Sequence, residues 1–418
     1  MLYELEKQDR IKAPSTRTKS NHKAQIIGCG VAGPVVALYL QRIGIKPIIY
    51  ESHPEPRDDE GFFLNLAANG TTVLEPLGLR EAVLEAGHRS NQLVFQNHAK
   101  KQLAENPQET VLIKRGLLTK VLREAAIDHG ITVQFGKRLV DIEIAHDEMP
   151  IAHFDDGTEV HSDFLVGCDG IRSQTRRSIL PNAPDPVYTG IIDSGGFTRT
   201  DAIPPSEGVM RMTFGVNGFF GYQKVPTGEI YWFENHERQT EPGHEELQRI
   251  STAEWKARLL ERHRRDHDES TEIIESTDGE IGKWPIYDLP SLPTWHRGLV
   301  CLIGDAAHAT SPHVGQGASL AMEDAIVLAK CLRDVDEVPD AFATFEALRR
   351  ERVDDIVELS RETGTQKAPS NIFTRKLRDL VLPFFLKRGV DRFEQIYSYR
   401  VDWTEPIGSV DSVDQRAG

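Results

Sequence analysis

The stretch Ala24-Gln25-Ile26-Ile27-Gly28-Cys29-Gly30-Val31-Ala32-Gly33 decides the fold. A short apolar run, Ala24 to Ile27, passes directly into a turn with the pattern G-x-G-x-x-G. Val35, Val36, Leu38, Tyr39, Leu40 and Ile43 then recur on one helical face until Gly44 stops the helix. Lys46-Pro47-Ile48-Ile49-Tyr50 reads as a second strand, and Glu51 ends it, 21 residues beyond Gly30. This strand–helix–strand unit of about 28 residues, closed by an acid, is the context in which the glycine pattern signifies dinucleotide binding. Gly28 permits the tight turn, Gly30 lets a pyrophosphate approach the backbone, and Gly33 lets helix and strand pack closely. The helix start offers free N–H groups and the positive end of a dipole. Glu51 can accept hydrogen bonds from both ribose hydroxyls, where a 2′-phosphate would be repelled.

Two further pieces of the same kind lie downstream. Asp163-Phe164-Leu165-Val166-Gly167-Cys168-Asp169-Gly170-Ile171-Arg172-Ser173 is an apolar strand that ends in Asp-Gly and a basic turn. Asp169 and Gly170 therefore sit where ligands gather in open α/β sheets. Leu299-Val300-Cys301-Leu302-Ile303 is a third buried strand. It runs into Gly304-Asp305-Ala306-Ala307-His308, and Pro312 and Gly315-Gln316-Gly317 then open another helix. Between these pieces the chain changes character. Gly195–Phe197, Val209–Phe214, Phe219–Val225 and Ile230–Phe233 are short runs divided by Gly and Pro, and they read as an antiparallel sheet. Residues 52–110 are mixed, 243–265 are polar and helical, and the tail from Ala341 to about Ser398 is mostly helical.

The chain has 418 residues, and its 49 Lys and Arg against 64 Asp and Glu give a net charge of −15. That balance disfavours nucleic acid and anionic membranes as partners. Cys29, Cys168, Cys301 and Cys331 form no CxxC pair and no disulfide framework, so a cytoplasmic location is expected. No apolar run approaches the roughly 18 residues of a spanning helix, so no stable membrane association is expected. Residues 1–23 read as a disordered arm without the apolar region of a signal peptide. The apolar patch Leu380–Leu386, interrupted by Pro383, reads as a core-facing helix, with a membrane-surface or dimer contact as the alternative. There is no HExxH, no P-loop and no paired-cysteine zinc spacing, so no metal site is expected. The oligomeric state is not legible.

Together the three motifs, in this order and spacing over about residues 24–365, resemble the class A, single-component FAD-dependent monooxygenases of the p-hydroxybenzoate hydroxylase type. The resemblance implies an α/β fold, with a Rossmann-like FAD-binding domain, an inserted antiparallel substrate sheet and C-terminal helices. The FAD domain would be discontinuous, 24–185 with 285–365, around a substrate domain at 186–284, and followed by a helical segment at 366–418. FAD would be held by Gly28, Gly30, Gly33, Glu51, Arg115, Asp169, Gly170, Gly304, Asp305, Pro312, Gly315, Gln316 and Gly317. Glu51 would take the adenosine ribose, Arg115 the phosphate or ribityl region, and Asp305 the ribityl or pyrophosphate side. The helix start after Gly317 would face the flavin N1–C2=O edge. His308 reads as structural.

The implied activity uses NAD(P)H as a transient reductant and O2 as co-substrate. A flavin C4a-hydroperoxide would transfer its distal oxygen to an aromatic or polycyclic, natural-product-like small molecule. Arg211, Phe220, Tyr222 and Trp232 are the candidates for substrate contact, with Arg211 as a clamp for an anionic group. Strand parity places Phe220 with Tyr222 on one face and Ile230 with Trp232 on another, and leaves open which faces the pocket. No residue is identified as a catalytic base. A flavin reductase or dehydrogenase of the same fold is the alternative activity, and a non-enzymatic flavin sensor a third reading. A halogenase is excluded because Gly282-Lys283-Trp284-Pro285-Ile286 does not match the GWxWxIP segment of that group.

Overall fold

The computed structural model describes residues 21–59, 61–144, 149–243, 245–365 and 392–407. The arm at 1–23, as far as residue 20, and the patch Leu380–Leu386 lie outside them, as does most of the expected segment 366–418, of which 392–398 is helical.

Strand β1 (Lys23–Ile27) forms the centre of a six-stranded sheet, with β2 (Lys46–Tyr50) parallel on one side and Phe164–Gly167 parallel on the other. Thr132–Gln134 extends it beyond β2 and Val300–Leu302 beyond Phe164–Gly167, both parallel. These strands are buried on both faces, which is why they read as unbroken apolar runs. Helix α1 (Ala32–Arg42) packs against the helix Gly317–Asp334. Ala32 to Leu40 of the first and Ser319 to Leu332 of the second are buried throughout. The first is apolar on nearly every side, as a helix inside a molecule is, and the second buries Glu323 and Asp324 among its apolar residues.

The second sheet has eight strands, in the order 282–288, 187–198, 230–237, 219–224, 209–214, 88–97, 102–114 and 63–67. Three of these, Phe63–Ala67, His88–Asn97 and Gln102–Lys114, come from outside 186–284, and the strand Gly282–Asp288 crosses that boundary. The join is a parallel pairing, with Val209 opposite Gln92 and Phe214 opposite Asn97. The sheet is thus as discontinuous in sequence as the FAD-type domain. Periodicity hid two of the three early strands because Gln, Asn and Glu recur in His88–Asn97 and Gln102–Lys114, blurring the apolar alternation.

The outer face of this sheet is covered by the helices Thr252–His263 and Asp268–Glu275, which bury Phe220, Tyr222 and Trp232 against Trp255, Leu259, Ile273 and Ile274. The inner face turns toward the six-stranded sheet, and the cleft lies there.

Candidate active site

The turn after β1 is built from backbone contacts that a side chain would break. A Cβ on Gly33 would lie 2.0 Å from the carbonyl oxygen of Gly28, and one on Gly28 would lie 2.5 Å from the carbonyl oxygen of Cys168. Gly30 differs, because a Cβ there would meet nothing within 4 Å, so this glycine opens onto the cleft. Glu51 closes the turn. Its Oε2 accepts the Cys29 N–H at 2.8 Å, and its Oε1 accepts the His53 N–H at 2.9 Å and faces His53 Nδ1 at 2.7 Å. Burial pushes the Glu51 carboxyl up, but these donors prevail and hold it below the ordinary carboxylate value, so it is charged. The same burial, with Glu51 nearby, pushes the Cys29 thiol up to about 12, which makes it a neutral thiol and not a nucleophile.

Asp169 lines the cleft, yet both its oxygens serve its own turn. Oδ1 accepts the Ser173 hydroxyl at 2.6 Å, and Oδ2 accepts the Thr175 N–H and hydroxyl at 2.9 and 3.0 Å. Arg176, which sequence reading missed, is 1% exposed. It donates to the carbonyls of Ile171 at 2.6 Å and Ala306 at 2.9 Å, tying this turn to the Gly304–His308 turn.

That second turn hangs on a buried ionic network. Gly304 has φ +59°, and its N–H donates to Asp324 Oδ2 at 2.9 Å, an oxygen that His308 Nε2 also meets at 2.6 Å. Asp324 Oδ1 accepts from Arg349 Nε at 2.8 Å. Glu323 pairs with Arg349 at 2.7 Å and Arg352 at 2.8 Å, and accepts from Asn69 Nδ2 at 2.7 Å. Asn69 in turn donates to Gln316 Oε1 at 2.8 Å. His308 is therefore bound into the structure behind the cleft. Two consecutive acids inside the apolar run Leu320–Leu332 were the available signal for this network.

One cleft of about 1210 Å³ gathers these turns. Gly28, Gly30, Glu51, Arg115, Asp169, Gly170, Asp305, Pro312, Gly315 and Gly317 all line it. Gly33 and Gly304 lie behind the lining, where they allow close packing. Gln316 is fully buried behind the cleft, with its side chain turned to Asn69 and not to the lining. Helix α1 and the helix Gly317–Asp334 both start at the lining, so two N-terminal ends point into one space. The volume exceeds the roughly 300–1,000 Å³ of an ordinary small-molecule pocket. It fits a dinucleotide together with a second molecule.

The four residues expected to touch substrate are on the wrong face. Tyr222 stands directly opposite Trp232 and next but one to Phe220, so these three share the outer face under the helices, and Ile230 joins them. The expected split of the two strands between faces is corrected by this register. Tyr222 donates to Glu269 at 2.8 Å and Trp232 Nε1 to Thr277 at 3.1 Å, which satisfies their polar atoms there. Arg211 pairs in register with Tyr222, and it too is absent from the cleft lining. The alternate residues face inward: Met212, Phe214, Phe219, Phe233 and Asn235, with Asp193, Phe62, Phe63, Phe95 and Trp284 from other strands and loops. A shift of one residue exchanges the two faces of a strand.

The comparisons with known proteins agree with this geometry. A family model described as FAD binding domain matches residues 21–360. The chain is 29% identical over 380 residues to the aurachin C monooxygenase/isomerase of Stigmatella aurantiaca, covering 88% of this chain and 95% of that protein. It is 26% identical to the 6-hydroxynicotinate 3-monooxygenase of Pseudomonas fluorescens, covering 83% of this chain and 93% of that one. Klebsiella pneumoniae HpxO, solved with FAD and uric acid, superposes with a TM-score of 0.79 at 22% identity, over 90% of this chain and 96% of HpxO. No described helix is long and apolar enough to cross a membrane. With a matched segment that runs from before β1 to beyond the Asp324 network, the chain belongs to the FAD binding domain family, and FAD is its cofactor.

Proposed function

We propose that this chain is an FAD-dependent monooxygenase that uses NAD(P)H and O2 to hydroxylate an aromatic small molecule. The observation that carries the reading is a single cleft whose one wall is the dinucleotide cradle and whose other wall is an aromatic sheet face. The names of the relatives, which include an aurachin C monooxygenase and a 6-hydroxynicotinate 3-monooxygenase, support it.

FAD, when bound, supplies the two-electron carrier between NAD(P)H and O2. The remaining work falls to the chain. Glu51, charged and fixed by the turn it closes, receives the adenosine ribose. The two helix starts and Arg115, whose guanidinium has no ion-pair partner among the described residues, hold the pyrophosphate and ribityl region. Asp305, at the start of a short helix, faces the same region. Asp169 acts through its turn, keeping Gly170 at the lining. The sheet wall holds the substrate ring and excludes water, so that developing charge is not quenched by solvent. The four free thiols support a cytoplasmic location.

The test is mass spectrometry of products after incubation with NAD(P)H, 18O2 and a panel of phenols and N-heteroaromatic compounds. A product gaining one labelled oxygen is expected. A product differing by two hydrogens with no label would replace this reading with a reductase or dehydrogenase.

A further inference from the structure

The inner face of the eight-stranded sheet carries more aromatic surface than a one-ring substrate can use. Phe95, Phe214, Phe219 and Phe233 lie on four adjacent strands, with successive ring centroids 6.2, 5.0 and 6.0 Å apart. Four strands at a spacing of about 4.8 Å make this row on the order of 14 Å long. From Phe233 the contacts continue through Phe63 and Phe62 to Trp284, with centroids 6.3, 5.6 and 4.7 Å apart. All seven rings line the cleft. Phe214 and Phe219 are already buried among their neighbours, but Phe95, Phe233, Phe63, Phe62 and Trp284 are only half-buried, and one six-membered ring can touch two or three of these.

The charges on this wall are as one-sided. Asp193 and Asn235 sit opposite each other in register beside Phe233, and Asn235 Nδ2 donates to Asp193 Oδ1 at 2.7 Å. The arginines and lysines of the cleft stand elsewhere: Arg57, Arg123, Lys137 and Arg138 in the neighbourhood of Glu51, Arg172 after Gly170, and Arg115 beside Gly61. Among the described residues, no lysine or arginine of the sheet strands lines the cleft; Lys114, on the same face opposite Phe63, lies over the Phe197 and Tyr231 rings and is paired with Glu229 at 3.2 Å. Arg211, the one residue that would have clamped an anion, is on the outer face. A substrate carboxylate would be buried against Asp193 and phenylalanine, an arrangement that burial penalises heavily.

We propose that the substrate is an extended, non-anionic aryl compound: a ring system held at Phe233 and the Asp193–Asn235 pair, with an apolar extension lying along the phenylalanine row toward Phe95. The proposal rests on the monooxygenase reading and narrows its substrate class. It also says which members of an aromatic panel the enzyme rejects, namely aryl carboxylates.

Isothermal titration of the FAD-loaded protein with three probes tests it: 2-naphthol, 6-hydroxy-2-naphthoate and 6-heptyl-2-naphthol. The heptyl compound should bind at least tenfold more tightly than 2-naphthol, and the carboxylate at least tenfold more weakly. Phe95→Ala, a half-buried position, should cut the heptyl gain below threefold. Asp193→Asn should shrink the carboxylate's disadvantage. A carboxylate that binds as tightly as 2-naphthol, a heptyl gain below threefold, or a gain untouched by Phe95→Ala overturns the proposal. FAD content is read separately by absorbance. A protein that refuses FAD would refute the monooxygenase reading, and the heats of binding would still decide the nature of the wall.

Discussion

Replacing Asp324 with asparagine tests whether the cofactor cradle is held from behind. Asp324 is completely buried and its three partners are all donors: the Arg349 guanidinium at 2.8 Å, the Gly304 N–H at 2.9 Å and His308 Nε2 at 2.6 Å. Asparagine keeps the volume but offers one acceptor oxygen and two donors. Whichever way the amide points, its NH2 faces either Arg349 or the Gly304 N–H. Arg349, itself fully buried, is left with Glu323 alone, a carboxylate it already shares with Arg352. Removing one partner of a buried pair costs about 3–5 kcal/mol, and the remaining Glu323 puts this case at the low end, about 3 kcal/mol. At 1.4 kcal/mol per tenfold, the folded-to-unfolded ratio falls roughly a hundredfold.

Urea unfolding, followed by circular dichroism and by release of flavin fluorescence, reads both consequences of this substitution. FAD should be released at lower urea than in the parent, because the Gly304–Asp305 turn loosens first. The effect should also vanish in acid. Burial raises the Asp324 carboxyl, but His308 and Arg349 outweigh it and hold it at about 2, below the ordinary 3.8. Its stabilisation is therefore present above pH 3.8 and lost as pH falls through 2, so variant and parent should converge there. A loss under about 0.5 kcal/mol at pH 7, or FAD retention equal to the parent's, would refute the reasoning, since surface substitutions produce changes of that size.

Gly30→Ala should fold like the parent but bind FAD at least tenfold more weakly, whereas Gly33→Ala should fail to fold or melt far lower; comparing melting curves of apo and FAD-loaded protein distinguishes them. Arg115→Ala should raise the dissociation constant for FAD by about 10- to 100-fold, the range of a charge-assisted hydrogen bond, and a change below twofold in a fluorescence titration would exclude the assigned contact. On the outer face, burial lowers the His263 pKa, but Asp266 at 2.7 Å and Glu234 at 3.7 Å raise it to about 8. The protonated ring stabilises the fold, fully below pH 6.5, and this contribution, on the order of 2 kcal/mol, should be lost as pH rises through 8. Urea midpoints at pH 6 and pH 9 should therefore differ less in His263→Gln than in the parent.

The two walls of the cleft were unequally legible, for a physical reason. The cradle is made of local backbone geometry. A strand that ends in Gly28-x-Gly30-x-x-Gly33, an acid at position 51, and strands that stop at Asp169-Gly170 and Gly304-Asp305 each declare themselves within about ten residues, because the turn needs those residue types wherever it occurs. The sheet wall is made of non-local pairing. Nothing in Val209–Phe214 tells the reader that it lies parallel to His88–Asn97. Alternation along Phe219–Lys224 is just as visible whichever face is inside. Its inner set begins with Phe219 and its outer set with Phe220, two adjacent phenylalanines that hydrophobicity cannot separate.

The polar atoms separate them. On the outer face Tyr222 and Trp232 need partners once buried, and the helices Thr252–His263 and Asp268–Glu275, with the turn that follows, bring Glu269 and Thr277 to supply them. Aromatic residues with a polar tip suit a face that is sealed by protein. The inward side chains of Phe95, Phe214, Phe219 and Phe233 have no polar tip, which suits a surface that must accept a ligand's apolar body without first losing a hydrogen bond. The row of four phenylalanines follows from that difference, and it places substrate recognition in shape and apolar contact, with Asp193 and Asn235 left to orient the ring. An enzyme built so would distinguish its substrates by length and charge.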